Sequence, residues 1–138
     1  MHSIATGVEF VRRLDHAQSS EMAIVRHEFG RWLDFVIGAD SMCAAVLSAT
    51  GEAVVNAFEH AYLDQAGPIE VHATMQRAYQ RLTVLVRDHG RWRIPPAHLD
   101  AHGHGLALID KLTADNAVHK SATGTTMSML WHLEPQAY

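Results

Sequence analysis

The chain has 138 residues, room for one domain of ordinary size, and its 48% hydrophobic and 19% charged content suits a packed core rather than a disordered segment. A formal net charge of −4 argues against direct nucleic-acid binding, which draws its affinity from basic surface and counterion release. Cys43 is the only cysteine, so no intrachain disulfide can form, and no apolar run after Met1 is long enough for a leader or a membrane span. A single domain over residues 1–138, cytoplasmic and without membrane contact, is the expectation.

In chain order, GVEFVRRL (residues 7–14) alternates and is β-branched, which predicts a first strand. Ser19 or Ser20 can cap a helix running to about Ile37, in which Met22, Val25, Phe29, Leu33 and Val36 recur at spacings of three and four as one apolar stripe. Gly38 ends it, and Asp40 can cap a second helix over about 41–63, whose apolar face carries Val46 or Leu47, Val54, Phe58 and Tyr62. Gly67-Pro68 breaks the chain. IEVHATM (69–75) and LTVLV (82–86) predict a hairpin, followed by a polar loop over 88–102. Residues 105–112 predict a short helix, and 117–119 and 125–133 two closing strands around Gly124. The order β-α-α-β-β-loop-α-β-β segregates helices from strand runs, so the class is α+β.

Four local patterns carry chemistry. Glu52 and Asn56 stand one helical turn apart, with Glu59 and His60 on the same side and Ala53, Ala57 and Ala61 around them. That side is expected to lie opposite the apolar stripe. A carboxamide oxygen can meet a hard Mg²⁺, and a carboxylate can take a proton from a hydroxyl, though by itself the pattern also describes a solvated polar face. Asp88-His89-Gly90 puts an acid at a strand end where it can accept from an exocyclic amino group, with a glycine that lets backbone approach a flat ring; alone, it is a common turn. His102-Gly103-His104-Gly105-Leu106 offers backbone N–H groups at a helix start, which attract phosphate. Gly124-Thr125-Thr126 opens the last strand with hydroxyls that could help fix a base.

In this order and spacing the set resembles the ATP-binding domain of the GHKL superfamily, with Glu52 and Asn56 in EAVVNAFEHAY as its N box. Asp88 and Gly90 match the first glycine box, Gly103 and Gly105 in GHGLALI the second, and Gly124, Thr125 and Thr126 the last. EAVVNAFEHAY and VRDHGRW are similar to the stand-alone bacterial serine/threonine kinases that act as anti-sigma factors. That resemblance implies a two-layer α/β sandwich of the Bergerat type, with a mostly antiparallel mixed sheet of about five strands and three main helices on one face. It implies ATP and Mg²⁺ as cofactors and ATP/ADP binding by Asn56, Asp88, Gly90, Gly103, His104, Gly105, Leu106, Thr125 and Thr126. Asn56 would be the metal ligand and Glu52 the catalytic base; Thr126 would support the adenine side. The implied partners are a sigma factor, a STAS-domain anti-anti-sigma protein that is phosphorylated and, since members of the branch often dimerise, a second copy. Roles in transcription regulation and stress response follow from the same resemblance. His102 stands where the branch has a small residue, and 91–102 is short for a nucleotide lid; an ATP-dependent switch without turnover is therefore the alternative to a kinase. The cation at the γ-phosphate stays open among Arg87, Arg91, Arg93 and Lys111. His60, His98, His102 and His104 lack the spacings of a zinc site, and Trp32, Trp92, Trp131 and Cys43 read as packing or surface residues.

Overall fold

Burial at every second residue builds the sheet. The computed structural model describes residues 7–15, 19–38, 41–61, 67–90 and 107–133. Strand β1 spans Gly7–Leu14, β2 Ile69–Gln76, β3 Arg81–Asp88, β4 Asp115–Ser121 and β5 Gly124–His132. One side of β2 buries Ile69, Val71, Ala73 and Met75; β3 buries Leu82, Val84, Val86 and Asp88, and β5 Thr125, Met127, Met129 and Trp131. These side chains share one core with the helices, so the molecule has two layers.

The strands lie in the order β1-β2-β3-β5-β4. Every pairing is antiparallel, which corrects the expected mixed sheet: no parallel pair occurs among the described residues. The reason is local. A one-turn helix over Arg77–Tyr79, with Gln80 at φ 48°, folds β2 directly onto β3, and a tight turn at Ala122-Thr123 folds β4 onto β5. Strand β5 then enters between β3 and β4 and runs opposite to both.

Helix α1 (Ser19–Ile37) buries Phe29, Leu33 and Val36 and half-buries Met22 and Val25, as its periodicity requires. It ends at Gly38, where φ is 77° and the N–H returns to the Asp34 carbonyl, a left-handed stop that costs glycine little. Phe10 of β1 packs against Phe29 and Trp32 at ring-centre distances of 5.0 and 5.8 Å, fixing α1 over the sheet edge.

Helix α2 (Ser41–Ala61) buries Val46 and Val54 together with Ala49, Ala53, Ala57 and Ala61. Alanines four apart form a smooth ridge, which lets the backbone of α2 lie close to the sheet. This corrects the expected arrangement. The alanines belong to the core side, and Asn56 is buried along the flank of that ridge rather than on an opposite, solvated face.

Helix α3 (Ala107–Leu112) is fastened at its end. The Trp131 Nε1–H donates to the Leu112 carbonyl at 2.6 Å, and Asn116 Nδ2 donates to Asp110 and Thr113 at 2.6 and 3.1 Å. The Ala114 N–H joins the Leu130 carbonyl, so pairing begins earlier than the apolar residues alone suggest and β4 is longer than 117–119. No helix among the described residues is long and apolar enough to cross a membrane.

Candidate functional site

Asp88 is the last residue of β3, and period two carries its side chain to the helix side of the sheet, where it is 1% exposed. A carboxylate so deeply buried needs donors. Its Oδ1 accepts the Gly90 N–H at 3.0 Å and the Thr125 N–H at 3.2 Å. The second bond follows from register, since Asp88 stands opposite Thr125 across the β3–β5 pair. Thr125 is itself buried, beside this carboxylate.

Two glycines close the corner. A Cβ on Gly90 would run into the carbonyl oxygen of Ala61, the last residue of α2. Gly124 has φ 155°, and a Cβ there would strike the Asp88 carbonyl oxygen. The end of α2, the segment after β3 and the start of β5 therefore meet backbone to backbone at a distance only glycine allows. The role of Ala61 as the floor beneath Gly90 has no sequence signal, because it is made by a main-chain atom.

Along α2 from that corner stand Asn56 and Glu52. Asn56 is 6% exposed, and its Nδ2 donates to both the Glu52 carbonyl (2.8 Å) and Glu52 Oε2 (3.0 Å). Two facing oxygens fix the amide orientation: the nitrogen is committed to Glu52, and Oδ1 is the atom turned to other partners. Glu52 is half-buried. At the helical rise, Asn56 lies about 7.5 Å and Glu52 about 13.5 Å along the axis from Ala61. Asn56 and Glu52 thus follow one another along α2 away from the end that packs under Gly90.

Thr126 is not brought to Asp88. Consecutive strand residues face opposite sides, so Thr126 shares the far side of the sheet with Arg87, its partner in register. Arg87 is exposed there and is placed away from the Asp88 corner, and Lys111 is exposed on α3. Gly103, His104, Gly105 and Leu106 lie outside the described residues, as do Arg91, Trp92, Arg93, His98, His102, Tyr62 and the side chain of His60. Trp131 is buried, Trp32 packs on Phe10, and Cys43 is half-buried with its thiol on the Gly38 carbonyl at 3.2 Å.

The arrangement suits a magnesium nucleotide. Among the described residues no three His, Cys, Asp or Glu side chains gather as a metal cage. A single amide oxygen at Asn56 is the kind of sparse ligand that Mg²⁺ takes when phosphates supply the rest of its shell. Asp88 adds a buried carboxylate, held by two backbone N–H groups, at the corner that the two glycines close.

Among solved structures, the chain is similar to the crystal structure of the RsbU and RsbW domains of Rv1364c from Mycobacterium tuberculosis, with 29% identity and a TM-score of 0.71. The match covers 91% of this chain and 32% of that one, so the chain spans about a third of the length of the chain it matches. The likeness agrees with five antiparallel strands under three helices and with the GHKL resemblance carried by the motifs. Residues 16–131 match the family model described as the histidine kinase-like ATPase domain, and the chain belongs to that family.

Proposed function

We propose that the chain binds ATP with Mg²⁺ and transfers the γ-phosphoryl group to a serine or threonine of a STAS-type anti-anti-sigma protein, holding a sigma factor in the cytoplasm until its antagonist displaces it. The observation that carries this reading is the Asn56–Glu52 pair on α2, held by Nδ2, on the helix whose last residue packs under Gly90, two residues after the buried Asp88. The likeness to a protein with an RsbW domain supports the regulatory setting.

In this reading Asp88 accepts the adenine amino group, Thr125 supports the base in place of Thr126, and Gly90 keeps the segment after β3 close against the end of α2. The phosphates run along α2 toward its start. Asn56 Oδ1 would hold the Mg²⁺ that neutralises them, and Gly103 to Leu106 would offer backbone N–H groups to the phosphates. Glu52 Oε1 or Oε2 takes the proton as the acceptor hydroxyl attacks the γ-phosphorus. The new P–O bond forms, the bond to the bridging oxygen breaks, and ADP carries away the electron pair. Phosphoryl transfer of this kind depends mainly on positioning and charge, which the short Asn56–Glu52 contact supplies.

The test is single-turnover phosphorylation of a STAS-domain protein beside ATP affinity, for wild type and Glu52→Gln. The variant keeps the shape and an acceptor for Asn56, so ATP affinity stays near wild type while transfer falls by about 10²–10⁴. Transfer at the wild-type rate removes Glu52 from the chemistry. A wild type that binds ATP and transfers to no acceptor leaves the ATP-dependent switch as the function.

A further inference from the structure

Among the described residues β1 is an edge strand, paired with β2 on one side and with no strand on the other. In an antiparallel sheet the main-chain groups of successive residues turn to alternate sides. The Leu133 N–H donates to the Gln80 carbonyl, and the registers carry that alternation across β3 and β2 to β1. There Glu9, Val11 and Arg13 turn their N–H and C=O groups outward. Arg12 Nη1 accordingly reaches the Val11 carbonyl at 2.8 Å, while its Nε is held by Glu28 of α1 at 3.0 Å. Glu28 shares one side of α1 with Ile24, Trp32 and Phe35, and Trp32 packs on Phe10, so this side of the helix overlooks the same edge. Large apolar residues are exposed along it: Val11 at 52%, Ile24 at 60% and Phe35 at 76%.

We propose that β1 pairs with β1 of a second copy, antiparallel about a two-fold axis at Val11, joining two five-stranded sheets into one and bringing the α1 helices together above the join. The outward main-chain groups are a template for an added strand. The side chains select this register. With Val11 opposite Val11, Glu9 stands opposite Arg13 and Arg13 opposite Glu9, on the side of the sheet away from the helices. A two-fold at Glu9 or at Arg13 sets like charges face to face, and one at Arg12 opposes two guanidinium groups. Within one copy Glu9 meets His72 at 2.9 Å and Arg13 meets Asp15 at 2.8 Å, yet both side chains stay more than half exposed. Pairing asks only that Arg12 yield the Val11 carbonyl to an incoming N–H; its bond to Glu28 and its place 4.4 Å from the Phe10 ring need not change. The inference stands apart from the kinase reading, because association is measured without nucleotide or acceptor.

Hydrogen exchange of the full chain over a concentration series, beside sedimentation equilibrium, tests it. The amides of Glu9, Val11 and Arg13 are expected to slow in step with dimer formation, a result that needs no variant. Arg13→Glu opposes like charges at two symmetric places and weakens the dimer by about tenfold or more, as does Glu9→Arg. The double variant restores opposite charges at both places and returns the affinity to near wild type. The proposal is overturned by a chain that stays monomeric at millimolar concentration or by a dimer that leaves those amides unchanged. A dimer indifferent to both single substitutions overturns it as well, and so does a double variant that binds no tighter than either single one.

Discussion

Asn56→Asp replaces one NH₂ group by an oxygen and changes almost no volume, so its effect reports the Asn56–Glu52 contact directly. In the native protein Nδ2 stands 2.8 Å from the Glu52 carbonyl and 3.0 Å from its carboxylate. The substitution removes both bonds, a loss of about 2 kcal/mol once the charge-assisted bond is counted. It also faces a carboxylate with another. Two unit charges about 4 Å apart repel by about 4 kcal/mol near a protein surface, and water reaching the half-buried Glu52 brings this to roughly half. The expected total at pH 8 is therefore about 4 kcal/mol. At low pH the introduced carboxyl takes a proton, stops repelling and donates back to Glu52. A carboxyl whose proton is held more tightly in the folded than in the unfolded chain contributes stability at low pH that is lost as pH rises. At pH 5 the deficit should accordingly shrink to about 1 kcal/mol. Urea unfolding followed by the fluorescence of buried Trp131, at pH 5, 6.5 and 8, measures both numbers as shifts in midpoint at constant m-value. A deficit that does not change between pH 5 and 8 would refute the contact, and with it the argument that Asn56 commits its nitrogen to Glu52 and leaves its oxygen for another partner.

Asp88→Asn keeps an acceptor for the N–H groups of Gly90 and Thr125 but loses the charge, and ATP and ADP affinity should fall roughly 10- to 150-fold, the value of a charge-assisted hydrogen bond. Calorimetry giving native affinity in the folded variant sinks the adenine contact. Gly90→Ala drives a Cβ into the Ala61 carbonyl and should cost about 1–3 kcal/mol, whereas Gly51→Ala, whose Cβ meets only the flexible end of Arg26 at 3.6 Å, should gain about 0.5–1 kcal/mol of helix stability. Thermal melts showing the same sign for both would disprove the tight corner.

Much of the fold is legible in the sequence because its elements are amphipathic. The Met22 to Val36 stripe and the alternation in 69–75 leave little choice of element or face. What stays hidden depends on pairing. That β5 lies between β3 and β4 follows from register, and no residue pattern within Gly124–His132 announces it. The alanine ridge of α2 is hidden for a different reason. Alanine is weakly apolar in any count, so a helix that buries it to approach the sheet looks polar on that side, and Asn56 beside it looks solvated. In the site, the strand-end Asp-x-Gly pattern within the ordered motifs points to Asp88, but only period two separates Thr125 from Thr126 and removes Arg87 from the corner. Main-chain atoms carry the rest, and the Ala61 and Asp88 carbonyls that make Gly90 and Gly124 obligatory have no residue signature.

Under the proposed function, those backbone contacts would let recognition and chemistry be set independently in so small a site. Asp88 is tied to the start of β5 by its side chain and to the end of α2 through Gly90. Asn56 and Glu52 ride on the same helix, so their spacing from each other is governed by helical rise rather than by a loop. A substitution at Asp88 can then alter affinity without moving Glu52, and one at Glu52 can alter rate without loosening the base end. Asn56 is the exception, since it lies between the two and holds Glu52 through Nδ2. Its loss should degrade metal-dependent affinity and transfer together. That coupling sets Asn56 apart from its two neighbours, whose effects divide between binding and chemistry.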